Sequence, residues 1–278
     1  MTLNLMLTSS QAVFLSGDFR LISPDDLSPL PDSYDTQKLI PVIRQRWSAL
    51  VAYMGVASAP PLLSDMGDWI LRQMEAIPFD GDFSQLAQRL LLANSWIGRI
   101  RGDRRVAISV VGFCEKEPFM MLLSNFLNLD GKTTEAGPEL KAYRRRPLRA
   151  EVRVVGSSRL DLAEQARLRR LLQGNAARQP IRERIRQAIA EINAEVSRRS
   201  RGSISEACVS GYLLRSGSAE IGAHGIPEDV HYLPAWVRRD LESTNPGEFT
   251  AKPPRVRWKS MSLRVRGSEV IKKHSMTS

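Results

Sequence analysis

The chain has 278 residues, 42% of them hydrophobic and 25% charged, and a net charge of +10. That length buries a sizeable core without disulfide or metal support, and no apolar run reaches the roughly 18 residues of a membrane-spanning helix. The N-terminus MTLNLMLTSSQ has no basic region ahead of its apolar run, unlike a secretory signal, and Cys114 and Cys208 have no metal-ligand spacing, so both read as core residues of a reduced, cytoplasmic protein.

Residues 3–8 and 12–17 are short apolar runs separated by Ser9-Ser10-Gln11, which predicts an opening hairpin. Asp18 and Arg20 follow it, and a loop rich in Pro, Ser and Asp occupies 23–36 as an exposed crossing. KLIPVI at 38–43 and WSALVAYM at 47–54 predict a second strand pair, with Pro41 placing the first at an edge. Apolar stripes predict helices over 64–76 and 83–99. Strands are expected at 105–113, 119–126 and 150–156, then helices at 160–173 and 180–198. In the last of these, Pro180 sits in the first turn and Ile181, Ile185, Ile189 and Ile192 form the buried stripe. A strand over 206–215 closes the pattern.

Strands followed by helix pairs predict an α+β fold, namely a four-layer αββα sandwich of two antiparallel sheets between helix pairs. Residues 1–218 form that domain, and 219–278 read as a C-terminal extension with a short helix near 233–242 and a strand pair around 254–266. The charge is uneven: residues 141–202 hold 17 Lys and Arg against 6 Asp and Glu. Such a segment is either a solvated face of arginine-rich helices or a surface for nucleic acid or an acidic partner. The three histidines, His224, His231 and His274, are scattered without the clustering of a zinc site or a Ser–His pair, and no cofactor is expected.

The opening TLNLMLTSSQAVFLSGDFR resembles the start of a mature proteasome β-subunit, with an initial Thr, a hairpin and Asp-x-Arg. Lys38 ahead of Leu39-Ile40 is similar to the family's catalytic lysine, and VAYMGVAS at 51–58 resembles the strand beneath its active site. The resemblance covers residues 2–217 and implies an N-terminal-nucleophile (Ntn) hydrolase fold.

On that resemblance Thr2 is the nucleophile after removal of Met1, a step that a small second residue permits. A threonine hydroxyl needs a base, and the freed α-amine, with an ordinary pKa of about 7.7–8.0, can serve. Lys38 would place positive charge beside the hydroxyl, and Asp18 would keep that lysine charged. Arg20 reads as support for Asp18, and the backbone N–H of Ala52, where the family has glycine, would be the oxyanion donor. Ser157 or Ser158 matches the family's Gly-Ser turn, and Ser203 or Ser205 would supply the hydroxyl supporting the amine. The position expected to be Asp falls near Arg201 instead.

The resemblance implies a threonine peptidase or amide hydrolase acting on peptide or protein substrates through an acyl-enzyme. It also implies a homo-oligomeric ring, fed by an ATPase partner. A transamidase or peptide ligase shares the chemistry. The reading of another class is a non-catalytic proteasome-like scaffold or nucleic-acid-associated protein that uses the basic 141–202 face. No membrane partner is expected.

Overall fold

A computed structural model of the chain describes residues 3–20, 31–32, 34, 36, 38–55, 58–59, 64–100, 103–156, 159–201, 203–228, 230 and 256–260, with 58–59, 64–65 and 256–260 described as backbone. The opening hairpin is formed by β1 (Leu3–Thr8) and β2 (Ala12–Asp18), every residue of which is buried. Ser9 makes the turn: its hydroxyl donates to the Ala12 carbonyl at 2.8 Å and accepts the Ala12 N–H at 3.1 Å. β1 lies between β2 and β10 (Glu151–Gly156), with Leu3 opposite Gly156. β2 pairs next with β11 (Cys208–Leu214), which continues through a turn at Gly217 (φ 88°) into β12 (Ala219–His224). β13 (Val256–Ser260) completes a six-stranded sheet.

The second sheet has five strands in the order β3 (Leu39–Ile43), β4 (Trp47–Gly55), β7 (Val106–Cys114), β8 (Glu117–Ser124) and β9 (Lys141–Arg145), all antiparallel. The two-residue strands β5 (Ser58–Ala59) and β6 (Ser64–Asp65) pair separately. Gly112 permits the close approach of β7 to β4, because a Cβ there would lie 2.1 Å from the Ser48 carbonyl oxygen. Leu15, Val209 and Ile221 of one sheet meet Leu50, Val111 and Leu122 of the other in an apolar core between the sheets. Burial of each such side chain contributes about 1.5–3 kcal/mol.

Among the described residues, five helical segments lie between the strands in sequence. α1 (Met66–Glu75), α2 (Ser84–Leu91) and the four-residue α3 (Asn94–Ile97) pack Trp69, Leu86, Leu90 and Trp96 against the five-stranded sheet. α4 (Leu162–Gln173) starts at a capping box in which Asp161 and Glu164 exchange hydrogen bonds of 2.8 Å. Arg199 at the end of α5 (Gln179–Arg199) reaches Glu164 and Asp161, which ties the two helices together.

These findings correct the expected four-layer sandwich of two antiparallel sheets between helix pairs. The six-stranded sheet is mixed, because β13 runs parallel to β12. Among the described residues strand positions outnumber helical ones, and the five-stranded sheet is covered by three helical segments, α1–α3, in place of a single helix pair. The single helix expected over 83–99 breaks after Leu91, where the chain tightens into i→i+3 bonds and Asn94 turns its side chain to Leu140, accepting its N–H at 2.8 Å. The sheet also continues beyond residue 218 through β12 and β13. The helix read near 233–242 lies outside the described residues, as does the strand pair around 254–266 apart from β13. No described helix is long and apolar enough to cross a membrane.

Candidate active site

Asp18 ends β2, opposite Cys208 of β11, and is fully buried. Its Oδ2 accepts the Leu3 N–H at 2.5 Å and its Oδ1 accepts the Arg20 N–H at 2.8 Å. The carboxyl therefore fastens the first described residue of β1 to the chain leaving β2. Lys38, 1% exposed, enters β3 alongside Gly17, where an added Cβ would lie 3.7 Å from the Lys38 Cβ. Its Nζ sits 4.7 Å from the centre of the buried Tyr53 ring, a cation–π contact.

Burial pushes the Asp18 carboxyl up to about 6, against the opposing pull of the Lys38 charge and the two N–H bonds. The folded chain thus holds a proton that the unfolded chain releases near the ordinary value of 3.8. Stability carried by this group is complete below about pH 4 and is lost as pH rises to about 6, a change of about 3 kcal/mol. Carboxyl-carbon NMR of Asp18 is expected to titrate with a midpoint near 6, and a midpoint below about 4.5 would contradict the burial argument.

Thr2 and Ser157 lie outside the described residues; they adjoin Leu3 and Gly156, which pair with each other. Ala52 is buried in β4, between Leu39 and Ser109. Arg20 and Ser205 are brought together by a residue that sequence reasoning missed. Arg20 Nε contacts Asp32 Oδ1 at 2.9 Å as an ion pair rather than an aligned hydrogen bond, and the Ser205 hydroxyl donates to Asp32 Oδ2 at 2.6 Å. Tyr34 donates to the same oxygen at 3.4 Å and its ring packs edge-on to Phe19, 5.2 Å away. Burial and the Asp32 charge push the Tyr34 hydroxyl up to about 12. The one available signal was an acidic residue ahead of Lys38 in a loop read as an exposed crossing. α5 holds the other end: Asn193 donates to the Ser205 carbonyl at 2.8 Å and Ser197 to the Ile204 carbonyl at 2.6 Å.

A second polar cluster lies on β11 and β12. The Ser210 hydroxyl and His224 Nε2 are 2.7 Å apart and both residues are buried, so a Ser–His contact exists where the scattered histidines predicted none. Burial, reinforced by the Arg186 charge, pushes His224 down to about 3 and leaves a neutral ring. Arg186 is 0% exposed and donates to Glu220 at 2.7 Å, while Tyr212 donates to the other Glu220 oxygen at 3.0 Å. Among the described residues, no group of three or more His, Cys, Asp or Glu is placed to hold a metal ion.

The basic segment is divided between the two sheets. Arg144 stacks over Phe83 beside β8, and Arg145 pairs with Asp130 and Glu151. Arg167, Arg198 and Arg199 are engaged by Glu191, Glu195 and Glu164 on the helices.

The site is thus a buried lysine and carboxyl gathered where the first described strand begins. A solved structure, Anbu (Gly-1) mutant from Hyphomicrobium sp. strain MC1, is similar over 91% of this chain and 98% of that chain, with 11% sequence identity and a TM-score of 0.49. No family model matches the chain, and no curated protein matches it. At that identity and TM-score, the function of this chain rests on its own residues.

Proposed function

We propose that the chain is an N-terminal threonine amide hydrolase acting on peptides, with Thr2 as nucleophile once Met1 is removed. The observation that carries this reading is the bond from the Leu3 N–H to Asp18, at 2.5 Å, in a buried site whose carboxyl also feels the Lys38 charge. Residue 2 is joined directly to the backbone that Asp18 holds. In this reading the Thr2 hydroxyl attacks the substrate carbonyl carbon while its proton passes to the α-amine, directly or through one water. The α-ammonium returns a proton to the departing amine as the C–N bond breaks, leaving an ester on Thr2. Water then attacks the ester, which releases the acid product and restores the hydroxyl. Lys38 stabilises the developing oxygen charge, Asp18 keeps Lys38 protonated, and Arg20, Ala52, Ser157 and Ser205 support the surroundings. A nucleic-acid face over 141–202 has less support, since many of its arginines are already paired within the chain.

Intact mass of protein from its native host, before and after incubation with a peptide epoxyketone, tests the proposal. Both the amine and the hydroxyl of an N-terminal threonine enter that adduct. Expected are loss of Met1 and one adduct mapped to Thr2, absent in Thr2→Ala. Retained Met1, or a mature chain that neither labels nor cleaves any member of a peptide library, overturns it.

A further inference from the structure

Asp18 and Cys208 are the last paired residues of the β2–β11 ladder, and the two chains diverge beyond them. Arg20 follows one and Ser205 precedes the other. The Asp32 carboxylate bridges that open end, with one oxygen on Arg20 at 2.9 Å and the other accepting from Ser205 at 2.6 Å. The Ser205 hydroxyl in turn accepts the Ala207 N–H at 3.0 Å, so the bridge reaches the backbone entering β11. Asp32 comes from the loop that leads to Lys38, and Tyr34, two residues on, packs against Phe19. One carboxylate therefore joins three segments: the exit of Asp18, the entry to β11 and the approach to Lys38. The charge-assisted hydrogen bond from Ser205 gives it direction, and the ion pair with Arg20 adds a second, less directional hold.

We infer that Asp32 is a positioning residue, which holds Asp18 and Lys38 in register for the Thr2 chemistry by clamping Arg20 to Ser205. It touches neither substrate nor nucleophile in this scheme. The inference rests on the hydrolase reading for its catalytic part and on the clamp geometry for its structural part, and the two are separable. Misplacing a catalytic group by about 1 Å costs on the order of a hundredfold in rate, so a loosened clamp lowers the chemical step more than binding.

The test measures Thr2 labelling by a peptide epoxyketone in full-length wild type, Asp32→Ala and Asp32→Asn, with amide hydrogen exchange on the same samples. Asp32→Ala is expected to lower the limiting labelling rate by at least about tenfold while the half-saturating probe concentration changes less than about twofold. The Arg20 and Ala207 amides should exchange at least about tenfold faster, while the β4–β7 ladder keeps its protection. Asp32→Asn, which keeps an acceptor for Ser205 and loses the charge facing Arg20, should fall between. Unchanged labelling and exchange in Asp32→Ala overturn the inference. Exchange that rises equally across the whole chain also overturns it, since that marks lost stability and not a clamp. If wild type does not label, the hydrolase reading falls, and the local exchange at Arg20 and Ala207 still decides whether Asp32 is the clamp.

Discussion

Replacing Lys38 with methionine is expected to lower Thr2 labelling and peptide cleavage by at least about a hundredfold. Methionine matches the length and apolar stem of lysine, so the change removes the charge with little change in packing. The loss is large because Lys38 is 1% exposed and its ammonium lies over Tyr53, where charges interact more strongly than they do in bulk water. The Asp18 carboxyl loses its opposing cation at the same time. Burial is already the largest influence on it, so its midpoint should move above the wild-type value of about 6. Labelling kinetics and the Asp18 NMR titration in the same variant check both halves. Activity within about threefold of wild type would remove Lys38 from the mechanism.

Glu220→Ala should be the most destabilising single change outside the candidate site, at about 3–5 kcal/mol. Arg186 is 0% exposed and its hydrogen bond to Glu220 is 2.7 Å, while its Nε and Nη2 already have no hydrogen-bond partner. Removing Glu220 leaves the buried guanidinium with the Glu183 carboxylate at 3.8 Å, too far for a hydrogen bond, and also leaves the Tyr212 hydroxyl without its Glu220 acceptor. The remedy follows from the same physics. An Arg186→Met/Glu220→Leu double variant removes both charges and should recover most of the loss. Urea unfolding of wild type, single and double variants measures the three stabilities. A single variant that costs less than about 1 kcal/mol would show that the pair contributes little.

Much of the strand content could be read from the chain because its strands are continuous apolar runs. LNLMLT and AVFLSGD are buried at every residue, and VAISVVGFC at every residue but its last, Cys114. β9 escaped because KAYRR is an exposed edge strand with no apolar alternation to detect. β12 escaped because AEIGAH places Glu220, Gly222 and His224 against one face, where Arg186 and Ser210 satisfy the two polar side chains. Its burial is settled by tertiary partners and not by hydropathy. The layer count failed for a related reason: pairing across long sequence distances decides sheet membership, and the parallel β12–β13 contact has no local signal. Asp18 and Lys38 were legible through their spacing in a resemblance. Asp32 was not, because its meaning depends on Ser205, which lies 173 residues away.

The position of β1 in its sheet also sets the order in which the protein can mature. Its two neighbours are β2, made almost at once, and β10, whose residues are translated only after about 150 others, and Asp18 waits longer still for Cys208. At about 5–20 residues per second, a ribosome needs roughly 10–40 s to reach that point. Before β10 is made the hairpin has two open sides, and its β2 side stays open until β11 is made. The proposed nucleophile at residue 2 would therefore lack the completed Asp18 setting until β11 has been made.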